Sequence, residues 1–421
     1  MPNIDTGPRS GTAFTATRTA GLERLEAFVP RAGRDYQSNR NHDTGPDWPH
    51  VSTLAPWLHA GLLSEREVLE AALREHGMSG AYKFVSEVFW RVYFKGHLEQ
   101  RPDTWNQFCR QRDEALAALE DNAGLRTAYA EAVEGRTGIE AFDTWVRELV
   151  EHGFLHNHAR MWFASIWCFT LKLDWTLGAD LFLRHLMCGD PASNTLNWRW
   201  VAGLHTRGKA YAATQGNITR YTERRENGPL RAEGLARGIR ALEEADPPGK
   251  QPLDLPDAPS SAQSDQPFAL LLHGEAAHHE PLGLPRPPAL VIAAARPQAR
   301  SPGPIGDPAR EFAMQALRSG SQDAAKAFGC PVAQWEDGKP LGALLADAGI
   351  ERLAVPHLPV GWTRDALAGD IARFADAEDG NAVLPLVSEL SRATWPYATA
   401  GFFGVRKKME PILRETGVAG V

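Results

Sequence analysis

The apolar residues of this chain change their spacing once, and that change limits what the chain can fold into. Between residues 50 and 235 they recur at helical intervals. In SEREVLEAALREHG, Val68, Leu69, Ala72 and Leu73 share one face, and Ser64 with Glu67 three residues later forms a capping box. GAYKFVSEVFWRVYFKGHL, IEAFDTWVRELVEHG, ARMWFASIWCFTLKLDW and GADLFLRHLM continue the pattern, so this region reads as all-helical. Residues 236–266 break it: Pro252, Pro256 and Pro259, with Pro267 just beyond, lie among Ser, Asp and Gln, which cannot extend a helix and favour an extended tether. From 267 the short apolar runs FALLL, ALVIAA, PVAQW and RLAVP alternate with helical stretches such as AREFAMQALRSG, LGALLADAG and TRDALAGDIARFADA. That alternation implies an α/β unit on a mostly parallel sheet. The expected organisation is an N-terminal extension (1–45), a helical domain (46–235), a linker (236–266) and an α/β domain of Rossmann-like type (267–421), mainly α overall.

Composition excludes several classes. No apolar run reaches the 18 residues of a membrane span, and the N-terminus lacks the apolar segment of a secretory signal. Cys109, Cys168, Cys188 and Cys330 lie far apart without paired spacing, which points to reduced thiols and a cytoplasmic setting. The net charge of −7 argues against a chain that coats nucleic acid by charge alone. Tryptophan is abundant: of 13, ten precede residue 201. Such rings serve either as core or as a site that needs stacking or electron transfer, and composition does not choose between them.

The segment 153–204 concentrates polar residues inside an apolar helical pattern: His156, Asn157, His158, Arg160, Asp190 and Asn194. A metal reading is weak, because His156 and His158 two apart on a helix diverge and no acidic third ligand follows. No GxSxG elbow supports a serine triad, and no GxGxxG follows the first strand of the α/β part. His278 and His279 read as a solvated loop pair. No metal is expected.

These segments resemble the flavin-binding core of the photolyase/cryptochrome family. TGIEAFDTWVREL (137–149), GFLHNHARM (153–161), DWTLGADLF (174–182) and GDPASNTLNWRWVAG (189–203) follow its pattern in order. Upstream, VSTLAPWLHAGLLS (51–64) resembles the family's phosphate-binding stretch, and SEVFWRVYF (86–94) a helix of the same core. The resemblance implies FAD held by Tyr36, Ser52, Thr53, Leu54, Arg91, Asn157, Arg160, Asp190 and Asn194, with Asn194 facing flavin N5. It implies a lesion-side carboxylate at Glu87, stacking rings at Trp90 and Trp200, and His158 at a further lesion-side position. It also implies an electron relay in which Trp198 donates to the flavin and is refilled from Trp175.

The sequence departs from the pattern at several of these places. The family's distal relay tryptophan falls on Ala132, which leaves electron transfer impaired or Trp145, Trp162 or Trp167 as another exit. The acid that pairs with the ring-side arginine is Cys188, so Arg160 loses its carboxylate. Phe154, His158, Val51 and Ala55 replace other family residues. The α/β unit follows the flavin domain instead of preceding it, and its opening loosely resembles an antenna domain, with an unrelated α/β module as the alternative. Residues 1–235 carry 27 Lys and Arg against 29 Asp and Glu, and 205–225 is locally basic. The expectation is a blue-light electron-transfer flavoprotein with light-dependent lyase repair of UV-damaged DNA as the implied reaction and a second, antenna chromophore in the α/β unit. A photoreceptor without repair activity and a light-independent flavoprotein acting on a small molecule are the alternatives.

Overall fold

The computed structural model describes residues 14–256, 266–284, 286–377 and 381–421. Part of the N-terminal extension (1–13) and part of the linker (257–265) lie outside the described residues. The described residues open with two α-helices not foreseen from sequence, α1 (Arg18–Phe28) and α2 (Arg34–Asn39). α3 (Ala55–His59) follows, then α4 (Glu65–Glu99), whose start is the Ser64–Glu67 capping box with both reciprocal bonds made. α4 is interrupted at Gly77, where φ is 61° and ψ 173°. Next come α5 (Asp103–Asp121), α6 (Ala123–Val133), α7 (Glu140–His152) and α8 (Asn157–Ser165). α8 runs into a π-helical turn, Ile166–Thr170, before α9 (Trp175–His185), α10 (Pro191–Ala202) and α11 (Gln215–Thr222).

Among the described residues the second half holds five parallel strands: β1 (Ala269–His273), β2 (Leu290–Ala294), β3 (Val332–Gln334), β4 (Arg352–Pro356) and β5 (Ala382–Leu386), in the order β3-β2-β1-β4-β5. α12 (Asp307–Phe328), α13 (Leu341–Asp347) and α14 (Trp362–Ala377) alternate with them. Side chains leave successive strand residues on opposite faces. Leu270, Leu272 and Val291 therefore enter the core shared with the helical half, while Leu271 and Ile292 join a second core under α13 and α14. The shared core makes the two halves one packed body. After β5 the chain returns to the helical half through α15 (Glu389–Thr394), α16 (Phe403–Arg406) and α17 (Met409–Glu415). Trp395 lies so close to α4 that a Cβ on Gly96 would stand 2.4 Å from its ring. The described part of the Pro-rich stretch carries no helix, as its prolines require, yet it is not a free tether. Leu242 N–H donates to Ala202 O at 2.9 Å, Glu244 pairs with Arg199 at 2.6 Å, and Gln251 N–H donates to Gln100 O at 2.8 Å.

No described helix is long and apolar enough to cross a membrane.

Candidate flavin site

α10 begins at Asp190, whose Oδ1 accepts from Ser193 N–H at 2.7 Å. This N-cap fixes the carboxylate at the junction of α4, α10 and the α/β half. Its other oxygen, Oδ2, lies 3.2 Å from Arg91 Nη2 and 3.6 Å from His59 Nδ1. Glu275, in the turn after β1, stands 3.7 Å from His59 and 3.3 Å from Lys95. Arg300 enters from the α/β side, donates to Leu186 O at 3.0 Å and is covered by the Trp362 ring.

The charges set the protonation states. Burial alone would raise the Asp190 carboxyl, but the Arg91 guanidinium, with His59 and Lys95, outweighs it and holds the group well below the usual carboxylate range. Burial likewise opposes ionisation of Glu275, and Lys95 reverses it. Burial pushes the His59 imidazole down despite both carboxylates, so the ring is neutral at pH 7. His59, Asp190 and Glu275 have metal-ligand spacing. Arg91 and Lys95 already neutralise both acids, which leaves little charge to attract a divalent cation.

The other positions singled out from sequence distribute as follows. Tyr36 is buried on α2, edge-on to Phe28 and Phe84. Ser52 Oγ accepts from Leu54 N–H at 3.4 Å, and Thr53, at φ 54°, donates its hydroxyl to Ser52 O at 2.7 Å. Leu54 caps α3, which has five residues with Pro56 near its start, so this helix offers few free N–H groups. Asn157 opens α8 and is exposed. Arg160 is half-buried, donates to Leu155 O at 2.8 Å and lies 3.8 Å from Cys188 Sγ. Asn194 is buried and donates to Ala179 O at 2.8 Å.

On the expected lesion side, Glu87 is held by Lys83 at 2.8 Å and Arg40 at 3.2 Å. Trp90 stacks on Phe402 with centroids 4.0 Å apart and planes 17° apart. Trp200 stacks on Tyr211 at 5.5 Å, and His158 lies flat on Trp162 at 4.1 Å. Each expected substrate-stacking ring thus already has an aromatic partner from this chain. His156 caps α8 by accepting from His158 N–H, while its Nε2 is buried without a hydrogen bond. His278 is a correction: it is buried, not solvated, stacked on His279 at 4.6 Å and 3.4 Å from Asp323.

Trp198 is buried and meets Phe163, Trp167 and Phe182 at ring distances of 6.3, 6.3 and 5.2 Å. Trp175 meets Phe108 at 5.8 Å.

Residues 84–227 match the family model of the FAD binding domain of DNA photolyase. Over these residues the chain is similar to the photolyase/cryptochrome family. The deoxyribodipyrimidine photo-lyase of Streptomyces griseus is 34% identical over 188 residues, 44% of this chain and 39% of that protein. The corresponding protein of Thermus thermophilus is 37% identical over 186 residues, 44% and 41% of the two chains. The cryptochrome DASH of Synechocystis sp. is 31% identical over 218 residues, 48% and 42%. A solved cryptochrome from Synechocystis sp. PCC6803 matches at TM-score 0.43 and 28% identity, covering 52% of this chain and 46% of that one. The match thus spans about two fifths of the length of these curated relatives.

The cofactor of the matched domain is FAD. The residues present fit it. Arg91 Nη2 and Asp190 Oδ2, at two of the expected contact positions, are buried and held by charge at 3.2 Å, yet neither makes an aligned hydrogen bond, which leaves hydrogen-bonding capacity at both. Asn157, Arg160, Ser193 and Asn197 keep polar surface in otherwise buried helices. An open cleft of about 610 Å³ beside Asp47, Arg147 and Arg224 contains none of these residues.

Sequence reading missed His59, Lys95, Glu275, Arg300 and Trp362. Only Glu275 carried a signal, since it follows the first strand of a parallel sheet, where ligand-facing loops gather.

Proposed function

We propose that this flavoprotein performs blue-light-driven electron transfer, with Trp198 as the electron donor and Asn194, Arg160, Asn157 and Asp190 around the flavin. One observation carries the reading: Trp198 is buried within the matched domain, in ring contact with further aromatic residues, and its indole N–H has no hydrogen-bond partner. Bound FAD supplies the light absorption and the one-electron redox chemistry. The chain supplies orientation and charge. Asp190, kept anionic by Arg91 and Lys95, holds an acceptor in place, and Tyr36, Ser52, Thr53 and Leu54 close the end toward α2. With Cys188 in place of a carboxylate, the Arg160 charge stays available to an electron-rich ring.

The stack of Phe402 on Trp90 favours the photoreceptor output over lesion repair. A flipped base needs an aromatic face, and the returning C-terminal segment covers one face of Trp90. Glu87, neutralised by two cations, is likewise committed. The α/β unit as an antenna domain and UV-damaged DNA as a partner remain part of the repair version of this reading.

Blue illumination of the purified protein with a thiol and an oligonucleotide carrying pyrimidine dimers separates the outputs. The expected result is loss of the oxidised-flavin bands while the lesions persist. Phe402→Ala uncovers Trp90 and is expected to increase binding of the damaged strand by about the 1–3 kcal/mol that base stacking on an aromatic ring contributes. Efficient lesion loss with the wild-type protein contradicts the photoreceptor preference and leaves the light-driven electron transfer standing.

A further inference from the structure

The family's distal relay ring falls on Ala132, and the structure shows what stands near it. Ala132 lies on α6, and one turn earlier on the same helix is Tyr129, on the same side of the helix at a spacing of three. The Tyr129 ring meets Trp167 at 6.1 Å with planes 88° apart, and Trp167 meets Trp198 at 6.3 Å with planes again 88° apart. The three rings form a continuous path from the deep tryptophan to a half-buried phenol.

Two local features bring these rings together. Trp167 lies in the π-helical turn Ile166–Thr170, closed by Leu171 N–H donating to Ile166 O at 2.9 Å. Such turns insert one extra residue, re-aim the side chains and recur at functional sites. On α9, Gly178 leaves the space the two indoles share. A Cβ there would stand 2.3 Å from Trp198 and 2.9 Å from Trp167.

The route through Trp175 is less suited. Its ring neighbour is Phe108, at 5.8 Å, which is far harder to oxidise than an indole or a phenol.

We infer that electrons reach Trp198 through Trp167 from Tyr129, which replaces the missing distal ring and bypasses Trp175. The inference rests on the light-driven reading above. After Trp198 gives one electron to the excited flavin, Trp167 refills it and Tyr129 refills Trp167. Tyr129 thereby loses one electron along the chain and its phenolic proton to water. Arg184 Nη2 donates to the phenol oxygen at 3.1 Å, which leaves the O–H hydrogen to the solvent. A solvent thiol returns one electron and one proton and restores the phenol.

The test is electron paramagnetic resonance of the FAD-loaded protein, frozen under blue light without thiol and with ring-deuterated tyrosine for assignment. A tyrosyl radical is expected in the wild type and in Trp175→Phe, and is lost in both Tyr129→Phe and Trp167→Phe. Tyr129→Trp is expected to show a tryptophanyl radical instead, which guards against a variant that merely misfolds. Flavin content and near-ultraviolet circular dichroism report whether each variant is folded. A tyrosyl signal that survives Tyr129→Phe, or that depends on Trp175 and not on Trp167, overturns the relay. Tryptophanyl radicals alone in the wild type also overturn it, while leaving light-driven transfer intact. A wild type with no radical and an unchanged flavin overturns both.

Discussion

Arg91→Ala will destabilise the chain by about 3–5 kcal/mol, the cost of removing one partner from a buried ion pair, and will strip it of flavin. Arg91 is the nearest permanent cation to Asp190, at 3.2 Å, and its side chain is only 11% exposed. Without it the Asp190 carboxylate, already bound at Oδ1 as the α10 cap, keeps a buried charge balanced only by the more distant Lys95 and a neutral His59. Denaturant titration followed by tryptophan fluorescence measures the first effect, and the ratio of flavin to protein absorbance the second. Arg91→Lys keeps the charge but loses the forked geometry, so it should fall between. A loss below about 1 kcal/mol in Arg91→Ala would place the pair among surface-like contacts and contradict the account.

Acid will be the second large effect. Burial pushes His156 and His273 down to about 4, and burial together with His205 and Arg101 pushes His97 to about 3. Each ring is neutral in the native state, whereas in the unfolded chain it takes up a proton near its ordinary value of about 6.5. The unfolded state therefore binds more protons below that value. The stability these rings lend is fully present above about pH 6.5 and falls as pH drops toward about 4. The slope is at most about 1.4 kcal/mol per pH unit for each histidine, so three rings remove about 5 kcal/mol by pH 5. That is comparable to the whole stability of many domains. The depressed carboxyls Asp190 and Glu275 act at lower pH, since their contribution is lost as pH falls through their native values. Thermal unfolding followed from pH 7.5 to 5 checks this. A midpoint unchanged to pH 5 means these rings accept protons inside the fold.

Much of the fold was legible because it is written locally. The 3.6-residue spacing marked the helices, Ser64 and Glu67 marked the start of α4, and four apolar runs marked β1 to β4. β5 was missed because Pro385 interrupts it. The strand tolerates that proline because it pairs only with β4, at the edge of the sheet. The expected flavin positions come from motif order, and of these the structure brings Arg91 and Asp190 within 3.2 Å of each other. Glu275 beside His59, Trp395 against Gly96 and Phe402 on Trp90 were not, since each joins residues more than 200 apart in the chain. Nothing in local spacing records such pairs. The same limit explains the relay. Sequence register showed that Ala132 is no tryptophan, but only the three-dimensional path through the π-helical turn connects Trp198 to Tyr129.

The most direct test of light-driven electron transfer is anaerobic blue illumination of FAD-loaded protein with a thiol, comparing the wild type with Trp198→Phe by absorbance. The account predicts that the oxidised-flavin bands bleach in the wild type and persist in Trp198→Phe at equal flavin content. Bands that persist in the wild type, or bleach equally in both proteins, contradict it.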